Sequence, residues 1–327
     1  LQANLTAEAS SRFGADADNS LKAFDAAWGI FPGVQASWVV SNEPWFAKVK
    51  GIDYLRLNVG YDISGNDDID YFAARSYFSA VKFLDAISGI SFENIGNTRL
   101  QWETTKRFNV GFETNLINNR LNLRFNYFNS KTDHLLTYQA LGFLTGIEKN
   151  WGNGGSLKNE GFDVTAVGKL VAMKSFQWEL GLSVGHYKNK ITSLADDATY
   201  FDSSVYGATI RTEVGKPANM FYGYVTDGVF STSEEAAAAA LYVLGDNGVD
   251  KNYFGAGDMR FVDLNGDHKI DEHDRTFIGD PNPDIYGNIF TTLAYKRFRL
   301  DVNFNYSLGN DVYNYMRSQL EGGSRFM

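Results

Sequence analysis

The residues best placed for chemistry stand in one acidic run, Asp263-Leu264-Asn265-Gly266-Asp267-His268-Lys269-Ile270-Asp271-Glu272-His273-Asp274. Counting Asp263 as position 1, oxygen-bearing side chains fall at positions 1, 3, 5, 9 and 12, and Lys269 at position 7 can offer its backbone carbonyl. A hard cation such as Ca²⁺ needs six to eight oxygens wrapped around it, and this spacing is that of a twelve-residue calcium loop. The candidate ligand set is therefore Asp263, Asn265, Asp267, Lys269, Asp271 and Asp274, with Ile270 pointing into an apolar core. His268 stands where such loops carry Gly, and Asp274 is shorter than the usual Glu. The other reading is an acidic, turn-rich loop whose carboxylates face solvent.

Catalytic arrangements find little support. The histidines are His134, His186, His268 and His273, and none belongs to an HExxH pair or a nucleophilic triad pattern. Asp67-Asp68 and Asp196-Asp197 are paired acids in polar stretches, which read as solvated. The glycine-rich run 152–161 follows no Rossmann strand and opens no helix, so it does not read as a phosphate cradle. With no cysteine, there is no thiol nucleophile, thiolate metal site or disulfide. Lys+Arg 30 against Asp+Glu 39 gives a net charge of -9, the wrong sign for a nucleic-acid groove.

The elements that carry these residues alternate with period two. In the run from Arg297, Phe298, Leu300, Val302, Phe304 and Tyr306 take one face, and Arg299, Asp301, Asn303, Asn305 and Ser307 the other. The same pattern recurs at Leu121, Leu123, Phe125 and Tyr127, at Leu55, Leu57, Val59 and Tyr61, and at Trp178, Leu180, Leu182 and Val184. Weaker alternation runs through 34–40, 108–116, 162–170 and 285–295. Stretches of about ten residues match a tilted membrane-crossing strand. A soluble β-sandwich or barrel also alternates; the polar face here carries Arg, Asp, Asn and Glu with few small apolar residues, so it expects water or a polar lumen. Connections alternate too: short turns at 118–119, 172–175 and 296–297, long segments over 62–99, 130–157 and 190–283. That asymmetry suits an outer-membrane barrel, with short periplasmic turns and long external loops. No run approaches the ~20 apolar residues of a membrane-spanning helix.

The expected fold is all-β, an antiparallel transmembrane barrel of which this chain supplies about nine or ten strands. Phe125, Phe298 and Phe304 would face lipid, and Trp28, Trp38, Trp45, Trp102 and Trp178 would sit in interfacial girdles at strand ends. A capped helix is expected over 231–244, inside the longest loop. The first residues already read as strand and no signal peptide precedes them, so the chain reads as part of a longer protein.

Several passages in order resemble SusC-like TonB-dependent transporters. They include Ser10-Ser11-Arg12-Phe13-Gly14, Trp28-Gly29-Ile30-Phe31-Pro32-Gly33, Leu100-Gln101-Trp102-Glu103-Thr104-Thr105 and Asn159-Glu160-Gly161-Phe162-Asp163. Thr226-Asp227-Gly228-Val229-Phe230, Asp263 through Asp271, and Gly309-Asn310-Asp311-Val312-Tyr313 continue the same order. The resemblance implies that 1–327 is part of a roughly 22-stranded barrel whose plug domain and TonB box lie outside this sequence. It further implies TonB-dependent uptake of an oligosaccharide or peptide across the outer membrane of a Gram-negative, Bacteroidota-like bacterium. The implied partners are a SusD-like surface lipoprotein, TonB reached through an N-terminal segment, and membrane lipid. The alternative is a soluble or surface-attached β-rich carbohydrate-binding module stabilised by the calcium loop. The segments 69–95 and 138–155 show no family signature and are where substrate preference would reside.

Overall fold

A computed structural model describes residues 1–18, 20–24, 26–83, 87–140 and 149–321. Parts of the segments 69–95 and 138–155, namely 84–86 and 141–148, lie outside the described residues, as do 322–327 at the chain end. The chain divides into two compact units. One comprises 1–199, 213–216 and 284–308, and the other 200–212, 217–283 and 309–327.

The first unit is an antiparallel meander. Gln2–Ala9, Ala26–Val39, Ile52–Asn66, Glu103–Leu116, Leu121–Asp133, Ser156–Ala172, Phe176–Ser193, Ile285–Tyr295 and Phe298–Leu308 pair in that order, with Leu21–Ala23 added beside the second strand. This matches the expected nine or ten strands. Most strands are longer than their alternation suggested; Phe176–Ser193, for example, extends past the apolar run ending at Val184. The longer connections also carry hairpins of their own, Tyr77–Phe83 with Ile87–Asn94 and Leu136–Ala140 with Lys149–Asn153.

Register makes the two faces explicit, because residues directly opposite one another share a face. Trp38, Leu57, Phe112, Phe125, Val164, Val184, Gly287 and Tyr306 form one row across eight strands. One residue along, Ser37, Asn58, Gly111, Asn126, Asp163, Gly185, Tyr286 and Ser307 form the next row on the opposite face. A one-residue slip would exchange the faces completely, so every strand fixes its neighbour's register.

The short connections 40–51, 117–120, 173–175 and 296–297 all lie at one end of the meander. Ile117, Asn118 and Asn119 are three successive left-handed residues (φ 55–57°), and Arg120 N–H donates to the Leu116 carbonyl at 3.0 Å. At the other end, the connections 10–25 and 67–102 enclose a small core of Phe13, Ala17, Ala73, Ala74, Leu100 and Trp102. Trp102 does not join an interfacial girdle as expected. It is 2% exposed, 4.5 Å from the ring of Phe13 and 5.3 Å from that of Phe31. An indole beside connections that fold over it gains more by burial among rings than at an interface.

The second unit contains a four-strand sheet ordered Tyr200–Val205, Ala208–Glu213, Met220–Tyr224 and Arg275–Gly279, with two further strand pairs, Thr226–Val229 with Met259–Phe261 and Tyr242–Leu244 with Lys251–Tyr253. Its apolar centre is Phe230, Ala236, Leu241 and Ile270. The helix expected over 231–244 is confined to Ser233–Ala239. Its start is as the sequence indicates: the Thr232 side chain accepts from Glu235 N–H, and Glu235 accepts from Ser231 N–H. It ends where Ala240 turns left-handed. Tyr242–Leu244 then pairs as a strand with Lys251–Tyr253 through a turn anchored by Asn247. Tyr and Val favour the extended state, and Gly248 (φ 68°) admits the turn. Among the described residues no helix is long and apolar enough to cross a membrane.

Candidate functional site

One face of the sheet is a polar wall built from the alternate positions of every strand. Glu113 lies at its centre, accepting from Arg56 at 2.7 Å on one neighbouring strand and from Arg124 at 3.2 Å on the other. Asn126 donates to Asp163 at 3.1 Å, Asn122 to Asn115 at 2.7 Å, and Thr292 to Asp301 at 2.6 Å. A shallow hollow of about 550 Å³ opens on this wall, lined by Asn4, Gln35, Asn58, Asn109, Asn126 and Asp62 above the floor of Gly33, Gly60 and Gly111. Such a wall presents amides and carboxylates to a wet space.

Aromatics also appear on the polar face, where the alternation had not led one to expect them. Phe290 lies opposite Gly181, Tyr286 opposite Gly185 and Phe128 opposite Gly161. In the first two pairs the ring rests so close to the glycine that a methyl group there would overlap it, at 2.1 Å and 2.6 Å. A ring lying flat over a strand glycine covers backbone without projecting far from the wall. The signal was present in the sequence: Tyr127-Phe128 and Ile289-Phe290 are adjacent large apolar residues, and neighbours on a strand cannot share a face.

The opposite face is apolar and uncovered. Phe298 is 79% exposed and Phe304 64%, and Leu57, Val59, Val110, Leu182 and Ile289 are exposed as well. The rings of Phe112, Phe125 and Phe162 run across three strands at 5.7 and 6.4 Å between centroids. A contiguous apolar surface of this extent does not face water in a monomeric soluble protein. Facing hydrocarbon, it needs no further cover.

The second unit holds a different kind of site. The Arg211 guanidinium grips Asp202 with two bonds of 2.8 Å and is sandwiched between the rings of Tyr200 and Tyr222, 3.8 and 3.6 Å away. The pair holds the Arg211 pKa above and the Asp202 pKa below their ordinary ranges, chiefly through the mutual hydrogen bonds. On the same sheet a cleft of about 670 Å³ is lined by Phe221, Tyr222, Tyr224, Tyr313, Glu272, Arg275 and Asp311. Burial pushes the Tyr224 phenol up. Aromatic faces beside a guanidinium and two carboxylates suit a polar ligand with flat apolar patches.

The acidic run 263–274 is a compact loop in this unit. Asp263 accepts from Gly266 N–H at 2.7 Å and His268 N–H at 2.8 Å. Asp267 accepts from Lys269 N–H and from the Asn265 amide. Asp271 meets the Lys269 ammonium at 2.6 Å, the main cause of its depressed pKa. Desolvation raises the Asp263 pKa, but the N–H groups of His268 and Gly266 outweigh it and hold the carboxylate low. Asp274 is wholly buried, its oxygens taken by the N–H groups of Leu264 and Asp271. His268, at position 6, adopts the left-handed conformation (φ 62°) that usually calls for Gly there. Ile270 is buried against Phe230, as its position implied. Among the described residues no three His, Asp or Glu side chains converge as metal-binding groups do. Of the histidines, His186 faces the Asp284 carbonyl, His268 the Ala239 carbonyl and His273 the Asp271 carboxylate.

Known proteins share this architecture. The profile of the family described as TonB dependent receptor-like, beta-barrel, matches residues 3–315. TonB-dependent receptor P39 of Formosa agariphila is 29% identical over 96% of this chain and 31% of its own length. TonB-dependent receptor SusC of Bacteroides thetaiotaomicron is 27% identical over 88% of this chain and 28% of its own. The solved structure of the RagAB peptide transporter superposes with a TM-score of 0.74 at 22% identity, over 94% of this chain and 31% of that one. The chain thus spans less than a third of the length of the curated relatives it matches. The family profile spans nearly the whole chain, and the chain belongs to the TonB-dependent receptor-like β-barrel family.

Proposed function

We propose that this chain forms part of the wall and external loops of an outer-membrane importer that takes up an oligosaccharide or peptide. The observation that carries the reading is the division of one sheet into a polar row and an uncovered apolar row along every strand pair. Open sheet edges cannot persist in lipid, so the outer strands Gln2–Ala9 and Phe298–Leu308 would pair with further strands of the complete protein. Energy would come through TonB, and a SusD-like lipoprotein would sit over the long connections. Both assignments rest on the family relationship. The cleft of Tyr222, Tyr224 and Arg275 is the proposed contact for substrate.

Heat-modifiable electrophoretic migration of the complete protein from outer-membrane fractions tests the barrel. Uptake by cells carrying Tyr224→Ala with Arg275→Gln tests the cleft, with a severalfold loss expected at unchanged surface abundance. A monomer that is soluble without detergent would overturn the reading and favour the carbohydrate-binding module.

A structural Ca²⁺ in the 263–274 loop is a separate proposal. The ion would take oxygens from Asp263, Asn265, Asp267, Asp271 and Asp274 and the Lys269 carbonyl, and the Lys269 ammonium would have to leave Asp271. A calcium-dependent rise in melting temperature, absent in Asp263→Asn, supports it; identical melting in calcium and in chelator removes it.

A further inference from the structure

The protein is acidic overall, yet the end of the sheet that carries the short turns is not. The four short connections 40–51, 117–120, 173–175 and 296–297 contain Lys48, Lys50, Arg120, Lys174, Lys296 and Arg297, against a single acid, Glu43. All six cations are exposed. Glu43 is occupied by the Trp38 indole N–H at 2.9 Å, and nearby Asp53 by the Asn119 N–H at 2.8 Å. Six cations against one acid leave these turns with a net positive charge, while the long connections hold most of the acids.

The same end is rigid and amphipathic. Backbone bonds stitch the turns together: Ile117 N–H donates to the Gly51 carbonyl, Lys169 N–H to Arg120 and Lys296 N–H to Ser175. Successive hairpins repeat about every 10 Å along this rim. On the rim and just inside it, Trp45 and then Trp38, Trp178 and Tyr295 are exposed, and Trp45 packs edge-on against Trp38 at 6.5 Å. Trp38 and Tyr295 belong to the apolar face, and the Lys296 ammonium lies 5.2 Å from the Tyr295 ring. Side chains with an apolar stem and a charged tip, set at the border of an apolar band, place their charge at headgroup depth.

We infer that this rim binds the phosphate headgroups of anionic phospholipids in the leaflet on the short-turn side, chiefly through Lys48, Lys50, Lys296 and Arg297. The inference rests on the membrane-spanning reading above. It adds a leaflet-specific lipid preference that neither the two-faced sheet nor the family relationship supplies.

The test uses the complete protein in vesicles of mixed phosphatidylethanolamine and phosphatidylglycerol, with retained lipids measured by mass spectrometry after mild detergent extraction. Phosphatidylglycerol should be enriched over its bulk fraction by about fivefold for each fully engaged cation at low salt. The enrichment should collapse at 1 M salt, where screening acts within roughly 3 Å. The variant Lys48→Gln, Lys50→Gln, Lys296→Gln, Arg297→Gln should retain lipid at the bulk ratio. A control neutralising Arg75, Lys82, Lys216 and Lys251 in the long connections should behave as the wild type. A wild-type protein that inserts but retains lipid at the bulk ratio would overturn the inference. So would a rim variant that keeps its enrichment while the control loses it. Failure to insert at all is a different result, and counts against the barrel itself.

Discussion

Neighbouring strands of the meander stay in register over long stretches, as from Ile63↔Lys106 to Leu55↔Thr114, whereas Ala208–Glu213 and Met220–Tyr224 are matched only at Ile210↔Phe221 and Arg211↔Met220. The meander is held by its backbone ladder, and most of its apolar side chains face outward. The second unit relies on side chains: the Tyr200–Arg211–Tyr222 stack, the Thr232 cap and the apolar centre around Phe230. The contrast follows from solvent. A sheet bathed in hydrocarbon on one side must satisfy every peptide group internally, because lipid offers no hydrogen bonds. A loop module in water can leave peptide groups to solvent and must instead bury apolar groups and pair charges to hold one shape.

The contrast breaks most visibly if a charge is placed on each face of one strand. Leu57→Arg on the apolar face should cost about 2–4 kcal/mol in vesicle-reconstituted protein, while Asn58→Arg beside it should cost less than about 1 kcal/mol. Urea unfolding monitored by tryptophan emission compares the two, and equal costs would mean that both faces see water. In the module, Arg211→Leu removes two charge-assisted bonds and should cost about 2 kcal/mol locally. Hydrogen exchange should register this over 200–224 and leave 103–133 unchanged.

The same pair predicts a pH signature. Arg211 holds the Asp202 pKa below its unfolded value of about 3.9. The extra stability is therefore complete above that value and lost as pH falls through the lower folded pKa. Melting of the module should be flat from pH 7 to 5 and fall in stronger acid, less steeply in Arg211→Leu. Thr232→Ala, which removes the helix cap, should cost about 1 kcal/mol, seen as faster exchange within Ser233–Ala239 alone. The smallest effect is expected at the tight turn of the meander. Ile117 is a β-branched residue held left-handed, and Ile117→Asn should gain up to about 1 kcal/mol in unfolding midpoint.

The meander was legible because its signal is local and repeated. Phe298 to Tyr306 and Leu121 to Tyr127 announce their faces by alternation alone, and Asn118-Asn119 marks a turn whatever surrounds it. Tertiary context decided the rest. Trp102 is buried because Phe13 and Phe31 come to it from distant sequence. The alanine run favours helix, but Tyr242–Leu244 finds a strand partner in Lys251–Tyr253 and the helix stops short. The acidic spacing of 263–274 located the loop and its buried Ile270. It did not disclose that Asp274 lies wholly buried on N–H groups, since burial depends on what packs over the loop. The Arg211 stack left no pattern at all, because Tyr200, Asp202, Arg211 and Tyr222 meet only across three strands.

The order of pairing in the meander also has a kinetic meaning. Every neighbouring pair from Ala26–Val39 to Phe176–Ser193 is sequential, and the tightest hairpins close within a few residues. Ile285–Tyr295 must find Phe176–Ser193 after the excursion 194–284. By loop-closure entropy alone, that contact is on the order of 3 kcal/mol harder to make than the hairpin at 173–175. Folding of the excursion on itself draws its ends together and reduces that barrier. The seam between these two strands is therefore the costliest neighbouring contact of the meander to close.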